Sequence, residues 1–189
     1  MTRPFRAPPL SDEVFQKLGT FIQTEYGIKM PLKKKTMLQT RLQKRLRELK
    51  IETFDEYTEF IFSDDGKSEL VHMVDAVTTN KTDFFREPEH FEYLIELVLP
   101  DLLRHSKKKV LIWSAGCSTG AEPYTLAMVL EDFRKHRPGF NYHILATDVC
   151  TEVLDTAARA VYAESKIMPV PMEFRKKFLL RSKDPAKKL

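Results

Sequence analysis

The chain carries only two cysteines among its 189 residues. Cys117 and Cys150 are spaced neither as a metal-binding pair nor as a redox pair. Its five histidines, His72, His90, His105, His136 and His143, are scattered without the spacing of a metal site. No Ser-His-Asp or Cys-His constellation is legible, so nucleophilic catalysis of that kind is not expected. No apolar run approaches the ~20 residues that a membrane helix needs. The start of the chain, Met1-Thr2-Arg3-Pro4-Phe5-Arg6, lacks the apolar region of a signal peptide. These absences argue against a metal centre and membrane insertion, and the cytoplasm is the expected compartment. The formal net charge of +4 is too mild to demand a nucleic-acid partner.

Strands are missing from the first third, which reads as helical throughout. Ser11-Asp12-Glu13 has the composition of a helix start, Val14, Leu18, Phe21 and Ile22 recur at helical spacing, and Gly27 is a stop. A second helix over 33–49 carries Leu38, Leu42, Leu46 and Leu49 along one stripe. Thr53 opens a third that Ser63-Asp64-Asp65-Gly66 ends, and a fourth runs over 68–78. From Pro88 the pattern changes. A helix through Phe91, Leu94, Ile95, Val98 and Leu99 leads by way of Pro100 and a lysine cluster, Lys107–Lys109, into an apolar strand. Strand, helix and strand then alternate, which indicates a parallel sheet. Thr151 is placed to cap a helix over 152–160, residues 162–171 read as loop, and a short helix follows over 173–180. The expected fold is therefore α/β, with an all-helical domain over 1–77 and a Rossmann-like domain over 78–189. Two strands cannot bury both faces of such a sheet, whose usual number is five or more. The expectation is a piece of a longer protein, or a second chain that supplies further strands.

The most informative segment is Val110-Leu111-Ile112-Trp113-Ser114-Ala115-Gly116-Cys117-Ser118-Thr119-Gly120, followed by a helix over 123–133 and a second strand that stops at Asp148. A strand, a glycine turn, a helix and a strand ending on an acid is how open α/β sheets hold a nucleoside. The turn admits backbone close to the ligand, and the carboxylate accepts from ribose hydroxyls. The dinucleotide fingerprint is broken, because Gly116 and Gly120 are the only glycines present. A phosphate-binding loop would need Lys and Ser or Thr after Gly120, where Ala121-Glu122 stands. An acid there opposes phosphate at a position where helices otherwise favour anions. A ribose-bearing, phosphate-free, positively charged ligand fits better, and S-adenosylmethionine has all three properties.

The segment over 29–50 carries nine basic residues and one acid, Glu48. Arg41, Lys44 and Arg45 stand at i, i+3 and i+4 and so share a helical face opposite the leucines, with Lys33, Lys34 and Lys35 at the helix start and Arg47 beside them. Three lysines at a helix N-terminus oppose its dipole, so helix stability does not account for them. The alternatives are a solvated face or a landing surface for an acidic partner. No aromatic residues interleave the charges, which argues against single-stranded nucleic acid.

Between the two parts lies Thr78-Thr79-Asn80-Lys81-Thr82-Asp83-Phe84-Phe85-Arg86-Glu87-Pro88-Glu89-His90-Phe91. This string, with 113–124, Ala146-Thr147-Asp148, Tyr162 and the basic helix (Lys34, Met37, Arg41, Leu42, Arg45, Leu46, Arg47), resembles the CheR family of chemotaxis receptor methyltransferases over nearly the whole chain. The resemblance implies methyl transfer from S-adenosylmethionine, leaving S-adenosylhomocysteine, to glutamate side chains on cytoplasmic helices of chemoreceptors. It implies that Asn80, Thr82, Arg86, Ala115, Gly116, Glu122 and Asp148 contact the cofactor, with Arg86 also the catalytic candidate. It further implies that Lys34, Arg41, Lys44, Arg45 and Arg47 dock the receptor. Members often have two acids after the second glycine. Here the first is Ala121, so Glu122 carries that role alone. The family continues past residue 189 with strands that bear further site residues, so the alternative expectation is a cofactor- and receptor-binding module without turnover.

Overall fold

A computed structural model describes residues 7–105 and 109–182. Met1–Arg6, and Lys107 and Lys108 of the lysine cluster, lie outside the described residues. The chain divides into two compact units between Thr79 and Asn80.

In the first unit the local signals act as their chemistry dictates. Helix α1 spans Asp12–Tyr26. The Ser11 hydroxyl accepts the Val14 N–H at its start, and Gly27 closes it at φ 70°, donating to the Gln23 carbonyl. A 3-10 turn at Leu32–Lys34 precedes α2, Lys35–Leu49, so the α-helix begins two residues later than the basic run implied. Thr53 caps α3, Phe54–Phe62, by accepting from the Glu56 N–H at 3.1 Å. Helix α4, Lys67–Val77, follows a turn in which Gly66 is obligatory, since a Cβ there would sit 1.9 Å from the Phe60 carbonyl oxygen. Leu38, Leu42 and Leu46 are fully buried against Leu18, Ile22, Ile61 and Met73. At ~1.5–3 kcal/mol per buried side chain, this stripe is what holds α2 to its neighbours.

The second unit opens with α5, Pro88–Tyr93. It runs through a π-helical turn, Leu94–Val98, into α6, Leu99–His105. Pro100 thus does not end the helix. The Leu99 N–H reaches back five residues to the Leu94 carbonyl. This widened turn comes just before the residue that has no N–H to give and would crowd a normal α-turn. Strands β1, Lys109–Ala115, and β2, Asn141–Thr147, pair in parallel from Lys109↔Asn141 to Ala115↔Thr147. Helix α7, Ala121–Lys135, makes the crossover. One sheet face carries Val110, Ile112, Tyr142 and Ile144 into a core with Leu99, Leu130, Phe133 and Phe140. The other exposes Leu111, Trp113 and Leu145, each more than 60% accessible. Helix α8 spans Thr151–Arg159, with Cys150 rather than Thr151 at its N-cap position, because Thr151 already has helical geometry. A 3-10 turn, Glu164–Lys166, interrupts the loop before α9, Met172–Phe178. Among the described residues no helix is long and apolar enough to cross a membrane, and no cluster of metal-ligating side chains occurs.

Candidate functional site

The C-terminal ends of the two parallel strands open into the glycine turn and the Asp148 loop. After β1 the backbone is left-handed three times, at Gly116 (φ 78°), Ser118 (φ 50°) and Gly120 (φ 92°). Ser118 is not a residue that adopts this conformation readily, so something must hold it there. The N–H groups of Gly116 and Cys117 both donate to the Thr147 carbonyl, at 2.8 and 2.9 Å, clipping the turn to the end of β2. Asp148 completes the clip. Its Oδ2 accepts the Ser118 N–H at 2.7 Å and its Oδ1 accepts the Cys150 N–H at 2.9 Å. An ionised carboxylate has about four acceptor positions, so each Asp148 oxygen keeps a lone pair after bracing the two loops. A half-buried acid fixed this way is preorganised to accept a pair of hydroxyls.

Asn80 joins the same cluster. Its carbonyl accepts from the Ser118 hydroxyl at 3.3 Å, and its amide donates to the Cys150 sulfur at 3.2 Å. Glu122, in the first turn of α7, accepts from the Ser114 hydroxyl at 2.7 Å. Ala115 and Gly116 are exposed, and a Cβ at Gly116 would meet open space. That glycine is therefore there for its backbone angle. Thr82 lines a cavity of about 190 Å³ with Phe84, Thr119 and Tyr162. Arg86 is largely exposed, donates to the Lys81 carbonyl at 3.3 Å and lies 3.9 Å from Glu87. The Cys117 thiol is pushed up, by burial first and by the Asp148 carboxylate next. That shift opposes the thiolate a nucleophile needs and leaves Cys117 a small residue in a tight turn.

The acids of this turn suit a hydroxylated cation better than a phosphate. Asp148 offers acceptors for a diol. Glu122 places negative charge at the helix N-terminus, where a phosphate would otherwise sit.

The structure separates the basic residues of α2 into two sets. Arg41 donates to the carbonyls of Val77 at 2.9 Å and Thr78 at 2.6 Å, closing the C-terminus of α4. Arg45 grips Glu69 with Nε and Nη2, at 2.8 and 2.7 Å, and also pairs with Glu48. Glu69 is buried and accepts the Tyr57 hydroxyl at 3.0 Å as well. Burial beside Glu69 pushes the Tyr57 phenol up, so it stays a donor. Lys44, paired at 3.8 Å with Glu48, and Arg47 stand exposed, and Lys34 donates to the Lys29 carbonyl at 3.0 Å.

Several contributors carry no local signal in the sequence. Ser114 is an unremarkable strand residue until its hydroxyl meets Glu122. Tyr162, present only through the family resemblance, donates to the Thr119 carbonyl at 2.6 Å. Its ring meets Phe84 edge-on at 4.9 Å. Gly120 stands at φ 92°, and a Cβ there would also lie 2.8 Å from this hydroxyl and 3.0 Å from Ala157 and Tyr124, so backbone angle and close packing both favour glycine.

Comparison with known proteins agrees with this arrangement. Residues 80–189 match the CheR methyltransferase SAM binding domain, and residues 13–78 match the CheR methyltransferase all-alpha domain. The chain is 35% identical over 180 residues to a chemotaxis protein methyltransferase of Borreliella burgdorferi, covering 93% of this chain and 64% of that protein. It is 37% identical over 174 residues to chemotaxis protein methyltransferase 2 of Pseudomonas aeruginosa, covering 92% and 60%. To the chemotaxis protein methyltransferase of Escherichia coli it is 32% identical over 176 residues, covering 93% and 59%. The chain thus spans about three-fifths of the length of these relatives. With an all-helical unit followed by a parallel α/β unit, both matched by its family models, the chain belongs to the CheR methyltransferase family.

Proposed function

We propose that this chain binds S-adenosylmethionine at the turn after β1 and serves methyl transfer to glutamate carboxylates on cytoplasmic helices of chemoreceptors. The observation that carries the reading is Asp148, braced by two backbone N–H groups with a lone pair left on each oxygen. In it, Asp148 accepts from the ribose hydroxyls and Asn80 steadies the turn through Ser118. Glu122 sets a negative charge near the cationic donor. Ala115 and Gly116 leave backbone open to the ligand, and Thr82 lies on the linker beside it. Held by Asp148, Asn80 and Glu122, the cofactor would supply an electrophilic methyl group to a carboxylate oxygen, with sulfur as the leaving atom that keeps the electron pair.

This chemistry asks little of the protein in proton transfer. A glutamate has an ordinary pKa near ~4.3, so at neutral pH it arrives ionised and needs no base. Alignment and exclusion of water remain, and good positioning supplies ~7–11 kcal/mol. Arg86 is the group assigned to alignment, because a guanidinium holds a carboxylate through paired hydrogen bonds. The carboxylate is that of the substrate or of the cofactor's methionine end. Lys44 and Arg47, with the half-buried Lys34, form the accessible part of the surface assigned to the acidic receptor helices. Arg41 and Arg45 belong to the same proposal, with their packing roles in α4 now attached. The cytoplasm follows as the proposed compartment.

The exposed face of Leu111, Trp113 and Leu145 favours a second reading, a module that binds cofactor and receptor and turns over only when further strands cover that face. An assay with methyl-labelled cofactor and receptor cytoplasmic fragments separates the two. Base-labile label on receptor glutamates supports transfer. Binding of S-adenosylhomocysteine without label on any receptor supports the module. Binding of neither removes both.

A further inference from the structure

Arg86 sits between two left-handed residues, Phe85 at φ 51° and Glu87 at φ 55°. Neither is glycine, asparagine or aspartate, and backbone held in this region costs on the order of 1 kcal/mol or more per residue. The rings explain part of it. Phe84 is buried against Tyr162, whereas Phe85 lies between Phe91 and Phe174, with centroids at 6.0 and 5.6 Å. A left-handed step lets two adjacent aromatics meet different partner rings. Ring packing alone does not fix where the peptide between them points.

That peptide is held by Thr125. This residue is fully buried on α7 and donates its hydroxyl to the Ala121 carbonyl one turn back, at 2.7 Å. With the proton spent there, its oxygen is left as an acceptor, and it takes the Phe85 N–H at 3.1 Å. The backbone N–H immediately before Arg86 is therefore tied to the helix that begins at the glycine turn and carries Glu122. We propose that Thr125 is a positioning residue, whose hydroxyl fixes the strained Phe85 turn and through it sets where Arg86 stands relative to the cofactor. The inference rests on the reading that Arg86 serves the cofactor site.

The test uses the full chain, with S-adenosylhomocysteine as the titrated ligand and hydrogen exchange at the Phe85 amide as a readout that needs no ligand. Thr125→Val keeps the shape of the side chain and removes the acceptor. It is expected to accelerate Phe85 exchange at least tenfold and to weaken binding about fivefold, the effect of one hydrogen bond. Thr125→Ser keeps the oxygen and is expected to stay within twofold of the parent in both. Should the valine fit poorly, Thr125→Ala against Thr125→Ser isolates the same oxygen. Arg86→Ala is titrated alongside. If Arg86→Ala weakens binding while Thr125→Val, or Thr125→Ala against Thr125→Ser, leaves both readouts unchanged, the role of Thr125 is overturned and that of Arg86 stands. If Arg86→Ala binds as the parent does, the reading of Arg86 falls and this inference with it. A lowered melting temperature in Thr125→Val with normal affinity in the folded range would make the residue structural only and overturn the proposal.

Discussion

The two basic pairs of helix α2 differ in a way that helix periodicity does not reveal. Arg41 and Arg45, four residues apart, turn towards α4 and satisfy its terminal carbonyls and its buried Glu69. Lys44 and Arg47 remain in solvent. Charge on a helix face therefore divides into what the fold consumes and what is left for a partner. The same division separates the Arg45–Glu69–Tyr57 network of the helical unit, closed on itself, from the strand ends of the α/β unit, where Asp148 is braced yet keeps acceptors to spare.

The largest expected effect strikes the consumed set. Glu69→Ala leaves Arg45 and the Tyr57 hydroxyl without their buried partner and should destabilise the chain by ~3–5 kcal/mol, as breaking a buried pair does. Urea unfolding reads this directly, and a loss below about 1 kcal/mol would mean the network is solvated. Next comes the left-over set at the α/β site. Arg86→Ala should cut methyl transfer to receptor glutamates about a hundredfold, the ~2.7 kcal/mol expected of a charge-assisted contact, while barely moving the unfolding midpoint. Near-normal transfer would remove Arg86 from the site. A smaller effect is expected on α2. Lys44→Glu combined with Arg47→Glu should weaken binding to acidic receptor helices several-fold at low salt, and the difference should shrink as salt rises. An unchanged affinity would move the docking surface elsewhere.

The smallest effect concerns α9. A hydrogen bond from Lys177 at 2.9 Å, with help from Lys135, holds the Asp132 carboxyl below its ordinary 3.8. A depressed carboxylate contributes stability fully above its unfolded pKa, and the contribution is lost as pH falls below 3.8 through the lowered value. Because both groups are partly exposed, the effect is modest. It should appear as lower protection of the α9 amides, each rate taken relative to the intrinsic rate at that pH, near pH 3 than at pH 5 in the parent, with Asp132→Asn showing less of that change. Equal pH dependence in the two proteins would remove the ion pair as its cause.

What could be read from the residues follows the range of the interactions. Ser11, Gly27 and Thr53 act on their own helix ends, and the leucines of α2 repeat at the helical period, so short stretches suffice to place them. The glycine turn and Asp148 are legible too, because strand, turn and acid follow in close order. Pro100 misleads because a π-turn just before it absorbs the conflict. Thr125 and Phe85 are forty residues apart, and Arg45 and Glu69 twenty-four. No local pattern announces such pairs. The strain at Ser118 and Phe85 is invisible for the same reason, since Asp148 and Thr125, distant in sequence, accept their backbone N–H groups.

The most direct measurement is a calorimetric titration of S-adenosylhomocysteine into the parent and into Asp148→Asn, with NAD as the control ligand. The account predicts one site in the parent, an affinity at least tenfold lower in Asp148→Asn, and no comparable binding of NAD. Equal affinity in the two proteins, or preference for the phosphorylated ligand, would contradict the claim that Asp148 grips a ribose over the turn after β1.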